Sequence, residues 1–403
     1  MIVKPRIRGF ICTTAHPLGC AVGVQRQIDA VQAAGRIDAG VRNALVLGCS
    51  GGYGLASRIV AGAGCGANTL GVSLEKPPSE RRTASAGWYN NAAFDAAPLG
   101  PKAATIDGDA FADATKAEVV DALKAGFGPI DLLVYSLASP VRLHPRTGAL
   151  HRSAIKPLGE RLTMKSLNVN EGEVTQVALE PGSDEDTANT VAVMGGEDWE
   201  FWIDALDQAG LLAPGFRTLA FTYLGSELTW PIYWDGTLGQ AKADLDRAAK
   251  AIAERLAPLG ASARVASLKG VVTQASSAIP VVSLYMSLLF KVMKERGVHE
   301  GPIEHIHRLF ATQLARGCAM RLDETGRIRM DDVELSAEIQ DEVKRRWSMV
   351  TTENLSELAD LEGYQADFLK IFGFGFEGVD YDVEVDPTRA GQAVNAEAAT
   401  HAS

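Results

Sequence analysis

Cysteine is scarce in this chain of 403 residues: Cys12, Cys20, Cys49, Cys65 and Cys318 are all it has. An odd number, widely scattered, excludes a disulfide framework. Cys12-x3-His16-x3-Cys20 lacks a fourth ligand and the close cysteine spacing of zinc sites, so no metal is expected there. Long apolar runs are also missing. The most apolar segment, Ile279–Phe290, is too short to span a bilayer and contains Pro280 and two serines. Nor is there a basic excess, because 39 Lys and Arg face 50 Asp and Glu for a net charge of −11. That balance argues against nucleic acid or an anionic membrane as partner. Lys4, Arg6 and Arg8 precede no uninterrupted apolar stretch, so no signal peptide is expected. What remains is a cytoplasmic protein without a stable membrane anchor. Its 46% hydrophobic and 22% charged content is ordinary for a globular chain.

Against this background one stretch stands out, Ala44-Leu-Val-Leu-Gly-Cys-Ser-Gly-Gly-Tyr-Gly54. Leu45, Val46 and Leu47 are an apolar run suited to a buried parallel strand. Glycines follow at Gly48, Gly52 and Gly54, and then a helix. A strand, a glycine turn and a helix N-terminus together offer free N–H groups and a positive dipole end to a phosphate. The G-x3-G-x-G spacing is that of short-chain dehydrogenases. The second strand, Asn68–Glu75, ends in a carboxylate. Glu75 there can bind the adenosine ribose hydroxyls and repel a 2′-phosphate, which favours NADH over NADPH. Lys76, Arg81 and Arg82 follow and pull the other way, and a solvated loop charge is the plain alternative.

Further strands carry further candidates. Ala103–Ala110 ends with Asp109 and Ala110 where a third parallel strand would meet the adenine, although Asp109 could equally cap the helix Phe111–Ala125. Ile130–Tyr135 is a fourth strand, and Leu137 and Ala138 beyond it are candidates for backbone contact with the nicotinamide half. From 141 to 215 the alternation of strand and helix loosens. Thr163–Asn170 and Glu173–Glu180 read as a hairpin, and the whole segment as an insertion covering the site. His305-Ile-His307 reads as helix surface, and Asp331–Arg346 as a charged helix with Lys344, Arg345 and Arg346 in a basic patch. The fold class expected is α/β: a Rossmann-like, doubly wound parallel sheet. Residues 1–387 read as one enlarged domain, and 388–403 as a disordered tail.

The chemistry centres on Tyr233 and Lys242. Reduction by a nicotinamide needs a proton donor and a cation beside it, and tyrosine and lysine fill those roles in this superfamily. On one continuous helix the interval would cover about two and a half turns and place the pair on opposite faces. They converge only if Tyr233 lies before the helix, and Asp235, Gly236 and Gly239 discourage helix there, whereas Gln240–Leu256 favours it. Packing among Trp230, Ile232 and Trp234 is the alternative role for Tyr233.

With the Tyr-x8-Lys pair beside Gly48-Cys-Ser-Gly-Gly-Tyr-Gly54, the chain resembles the FabV-type trans-2-enoyl reductases of acyl carrier protein and CoA thioesters. Pro5–Ile11, Ala86–Asn90, Tyr135–Pro140 and Val272–Ser276 are similar too, and the likeness runs to about Gly378. The loop near Pro258–Ser262 is shorter than in the family. The resemblance implies Tyr233 as proton donor and Lys242 as an NADH ligand that also lowers the tyrosine's pKa. It implies Tyr223 near the acyl substrate, and Gly48, Cys49, Ser50, Gly51, Gly52 and Tyr53 around the pyrophosphate. Leu74 and Glu75 would read the ribose, while Asp109, Ala110, Leu137, Ala138, Val271, Val272 and Thr273 would line the cofactor. The activity implied is NADH-dependent reduction of trans-2-enoyl thioesters, the last step of fatty acid elongation, by a monomer or weak oligomer. A carbonyl or hydroxyacyl reductase and a non-catalytic NAD(H) sensor are the alternatives.

Overall fold

The apolar runs become one parallel sheet in the computed structural model, which describes residues 1–389 other than Phe10, Ala138, Ala278 and Pro280. The expectation for Ala138 and most of that for the tail after Pro387 thus fall outside the described residues. In chain order the strands are β1 (Asn43–Leu47), β2 (Asn68–Ser73), β3 (Ala103–Asp107), β4 (Ile130–Tyr135), β5 (Leu212–Thr222), β6 (Ser262–Ser267) and β7 (Ile328–Arg329). Side by side they run β7-β6-β5-β4-β1-β2-β3. The order reverses between β1 and β4, and in doubly wound sheets ligands bind outside the carboxyl ends of the strands at such a reversal. Leu45 of β1 lies opposite Leu70 of β2 and Leu133 of β4.

Helices cover both faces, which is why β1 and β4 are apolar without alternation. One face carries α1 (Gly52–Ile59) and the helices Pro17–Ala34 and Pro302–Leu309, packing Ile59, Ile28 and Ile306 with Val46 and Val134. The other carries α2 (Thr237–Arg255) and the helices Asp113–Ala122 and Glu197–Gln208, packing Trp199, Trp202 and Leu245 with Leu45 and Leu133. Truncating a buried tryptophan such as either of these costs about 3–5 kcal/mol. Their polar ends are satisfied: Trp199 Nε1 donates to Thr218 Oγ1 at 2.9 Å and Trp202 Nε1 to the Ala110 carbonyl at 3.0 Å.

Between β4 and β5 lie two antiparallel hairpins, Val141–Leu143 with Leu150–Arg152 and Leu162–Asn168 with Glu173–Leu179, then the helices Asp184–Met194 and Glu197–Gln208. β5 begins opposite Ile130 at Leu212, loses register, and resumes at Arg217 opposite Leu132. Pro214 and Gly215, the latter at φ +72°, sit in that irregularity.

Beyond the carboxyl edge a third cluster forms from α3 (Val282–Glu295), the second hairpin and α4 (Ala337–Met349). The first and last described stretches close over the molecule together. Met1 and Val385 exchange backbone hydrogen bonds of 2.8 and 2.9 Å, and Phe368, Phe372 and Phe374 pack with Val3, Cys12 and Tyr89. Among the described residues no helix is long and apolar enough to cross a membrane.

Candidate active site

The glycine turn sits at the reversal in strand order. Gly48 holds φ +80°, and a Cβ there would collide with the Ser136 carbonyl beyond β4. A Cβ on Gly54 would strike the carbonyl of Gly48, so the helix starts close against the turn only because both residues lack one. Gly51, the N-cap of α1, provides no side-chain cap, and the space at its own Cβ position is open. The first N–H groups of α1 therefore face that space unpaired by any capping side chain, as a pyrophosphate requires. These residues fit a nicotinamide dinucleotide.

Other predicted cofactor residues gather around the turn, though not all as expected. Cys49 turns inward: its N–H donates to Val72 at 3.2 Å and its thiol to Asn91 Oδ1 at 3.4 Å. Tyr53 also points away from the turn, its hydroxyl donating to the Lys269 carbonyl at 2.8 Å. Ser50 accepts a bond from Asn90 Nδ2 at 2.9 Å on its carbonyl. Glu75 stands at the end of β2 with its carboxylate gripped by Ser85 Oγ, while Leu74 beside it is 70% exposed. Asp109 accepts from the Phe111 N–H at 3.0 Å, and the next helix begins only at Asp113 with Ala112 as N-cap. Asp109 therefore closes a local turn and does not cap that helix. The Ala110 carbonyl is held by Lys116 Nζ and Trp202 Nε1, both at 3.0 Å. Leu137 borders Gly48, its Cδ2 lying 3.4 Å from where a Cβ on that glycine would be. From across the crevice, Thr273 brings Cγ2 to 3.8 Å from the corresponding point on Gly52, with Val271 and Val272 on the same half-buried loop.

Tyr233 lies in a chain of turns, its N–H donating to the Thr229 carbonyl at 3.0 Å, and α2 starts at Thr237. Gly239 lets this turn fold back on the helix, since a Cβ there would collide with the Trp234 carbonyl. Lys242, on the second turn of α2, has Nζ 5.6 Å from the centroid of the Tyr233 ring and donates to Thr222 Oγ1 at 3.1 Å. Tyr223 stands edge-on to Tyr233 with ring centroids 5.1 Å apart. The tyrosine, the lysine and the proposed substrate tyrosine thus meet at the carboxyl end of β5.

Their electrostatics depart from the simple pairing. Burial raises the Tyr233 pKa, and the carboxyl of Glu334 adds to the rise. Lys242 falls to about 8 because it leaves water, with Arg327 contributing. The lysine faces the ring of Tyr233 and bonds to Thr222, and burial of the phenol outweighs its influence, so the Tyr233 pKa lies above its ordinary value.

Two surface readings are also overturned. His305 is fully buried, Nδ1 paired with Glu300 at 2.9 Å and Nε2 accepting the Lys269 N–H at 3.3 Å, because its helix packs against α1 beside the sheet. The basic patch is neutralised in place: Lys344 pairs with Glu227, Arg345 with Glu342, and Arg346 with Glu295 and Glu342. At the N-terminus His16 caps its helix through Nδ1, accepting the Gly19 N–H at 3.1 Å. Among the described residues no group of three His, Cys, Asp or Glu could hold a metal ion.

Sequence reasoning missed Glu334. This 1%-exposed acid accepts bonds from Tyr223 Oη and Tyr285 Oη, each at 2.9 Å, and from the Gly270 N–H at 2.7 Å. It lies in Asp331–Arg346, whose composition predicts one charged helix, whereas α4 begins only at Ala337.

A doubly wound sheet reversing beside an uncapped glycine turn, with a tyrosine and a lysine at its edge, is the build of a dinucleotide-dependent reductase. Comparison with known proteins narrows this class. Residues 82–315 match the trans-2-enoyl-CoA reductase catalytic region and residues 2–80 the NAD(P)H binding domain of trans-2-enoyl-CoA reductase. The chain therefore belongs to the trans-2-enoyl-CoA reductase family. It is 54% identical over 389 residues to the enoyl-[acyl-carrier-protein] reductase [NADH] of Tolumonas auensis, covering 96% of this chain and 98% of that one. The enoyl-[acyl-carrier-protein] reductase [NADH] FabV of Aeromonas salmonicida is 53% identical with the same coverage. The crystal structure of Treponema denticola trans-2-enoyl-CoA reductase in complex with NAD superposes with a TM-score of 0.93 at 47% identity, covering 98% of this chain and 100% of that one.

Residues 322–385 match a model described as an enoyl reductase FAD binding domain. The residues present do not fit a flavin. Only the two-residue β7 is a strand there, no glycine turn leads from it into a helix, and Val343, Val350, Leu355 and Tyr364 are already packed into the third core cluster.

Proposed function

We propose that this protein reduces the carbon–carbon double bond of trans-2-enoyl thioesters with NADH, the last step of fatty acid elongation. The observation that carries the reading is the meeting of Tyr233, Tyr223 and Lys242 at the carboxyl end of β5, on the same edge of the sheet as the uncapped glycine turn. We assign the pyrophosphate to the N–H groups of Gly51–Tyr53, the ribose to Glu75, and the adenine side to Asp109 and Ala110. Leu137 and Val271–Thr273 flank the nicotinamide. Bound NADH supplies the hydride to the β carbon of the enoyl group. The enolate this leaves is held by a hydrogen bond from Tyr233 to the thioester oxygen. The tyrosine's proton goes to the α carbon, giving the saturated thioester, and the raised pKa keeps the phenol protonated until charge develops on that oxygen. Lys242 anchors the cofactor beside it.

Residues 1–387 form one enlarged reductase domain in this reading, since β1–β7 come from all three matched segments. The expected insertion 141–215 ends earlier, at Leu211, because β5 begins at Leu212, and we assign its two hairpins and two helices to covering the site. Thioesters of both acyl carrier protein and CoA fit the chemistry, the enzyme acts in the cytoplasm, and it works as a monomer or weak oligomer.

The test is Tyr233→Phe. Turnover of crotonyl-CoA drops by about 10²–10⁴-fold, while NADH titration by fluorescence gives an unchanged Kd. Near-normal turnover would remove Tyr233 from the mechanism. Reduction of acetoacetyl-CoA by the parent enzyme would favour a carbonyl reductase.

A further inference from the structure

A carboxylate taken fully out of water is costly unless donors surround it. Three do so at Glu334, and two of them belong to different sides of the site. Tyr223, on Oε1, is the ring that stands against Tyr233; Gly270, on Oε2, opens the loop Val271–Thr273 that faces the glycine turn. The third donor, Tyr285, is braced by Gln340 Nε2, which lies 3.0 Å from its hydroxyl and 2.7 Å from the Glu334 carbonyl. The turn that carries Glu334 is itself tied to the end of β6. Ser267 Oγ donates to Asp331 Oδ2 at 2.7 Å, and the Met330 N–H donates to the Ser267 carbonyl at 2.9 Å. Gly270 is crowded from the other side, for a Cβ there would lie 3.4 Å from the Tyr223 hydroxyl and 3.2 Å from Met286 Cε.

We propose that Glu334 is a positioning residue for the reduction: one oxygen sets Tyr223 beside Tyr233, and the other sets the Val271–Thr273 loop beside the glycine turn. A single buried group thereby registers the acyl side of the site against the dinucleotide side. The inference rests on the assignment of Tyr233 as the proton donor. Glutamine does not reproduce this glutamate: with its oxygen on the Gly270 N–H, its NH2 faces Tyr223 and Tyr285, whose hydroxyls must then accept and lose the acceptor that orients them. Glu334→Gln keeps the volume but reverses both tyrosine bonds or, in the other amide orientation, sets a donor against the Gly270 N–H.

Glu334→Gln, Tyr223→Phe, the double variant and Tyr233→Phe are compared at one temperature below every unfolding transition, with crotonyl-CoA and NADH. Glu334→Gln lowers kcat about tenfold through misplacement of the site and weakens NADH binding about fivefold through the loosened loop. Tyr223→Phe lowers kcat and leaves the NADH Kd alone, and the double variant loses no more kcat than Glu334→Gln. A Glu334→Gln enzyme with parental kcat and Kd overturns the proposal, as do effects that multiply in the double variant. A purely structural role would lower the unfolding temperature and leave both constants intact. Should Glu334→Gln fail to fold, Glu334→Asp keeps the carboxyl group with a shorter reach and must show the same paired loss. Full activity of Tyr233→Phe would instead sink the assignment of the site.

Discussion

A lysine that leaves water to reach a tyrosine carries its own pH dependence. With a pKa near 8, Lys242 is a cation below that value and neutral above it. Because kcat/KM for NADH reports groups of the free enzyme, it should fall above pH of about 8, by about tenfold per unit once the ammonium is lost. Lys242→Arg, whose charge persists, removes this alkaline limb even if the maximal rate is lower. A limb that stays in place in that variant would assign it to another group. At this scale the sequence revealed residue types better than directions. Tyr53 and Cys49 belong to the turn, yet their side chains leave it for Lys269 and Asn91. Such turning away is decided by neighbours more than forty positions distant, which no local spacing encodes.

The element that matters most is the turn ahead of α2. Gly239 occupies a helical position, where alanine would raise helix stability by about 1 kcal/mol. The Trp234 carbonyl fills the space a Cβ needs, however. Gly239→Ala should therefore leave the melting temperature within a few degrees of the parent's and lower kcat about a hundredfold, the penalty of a displacement near 1 Å. An unaltered kcat would show that the turn tolerates the shift. The glycines and polar residues around Tyr233, and the strand, turn and helix of Asn43–Ile59, were legible because each is built from neighbours in sequence. Elements whose environment is tertiary were not. Asp331–Leu335 has the composition of an exposed helix, and only contact with β6 and α3 makes it a buried turn. The helix Pro302–Leu309 likewise hides His305 against a partner almost 250 residues away.

Among the described residues, three histidines have their pKa lowered by burial. The pKa of His16 and that of His305 are lowered, and that of His299 falls to about 4. Their unfolded-state values lie near 6.5, so on acidification the unfolded chain takes up protons that the native state resists. For His299 that stability is complete above pH of about 6.5 and is lost as pH falls toward 4, at up to about 1.4 kcal/mol per unit, and His16 and His305 add to the loss in the same direction. Glu300, held near pKa 2 by His305 and Arg308, extends the loss below that range. Calorimetry from neutral pH downward should show the melting temperature falling through this window, and His299→Phe should flatten the slope. A melting temperature independent of pH from 7 to 5 would show that these rings titrate freely in the native state.

The backbone pairing of Met1 with Val385 sets an order on synthesis. At about 5–20 residues per second, a ribosome needs roughly 20–80 s to bring the second partner out after the first. For that interval Met1 lacks its backbone partner, and Val3 and Cys12 wait for Phe368, Phe372 and Phe374, with Ala84, Ala86 and Tyr89 of their cluster already made. Closure of the molecule thus waits on a stretch translated nearly four hundred positions after its partner, and until then that face of the early segment stays open to water.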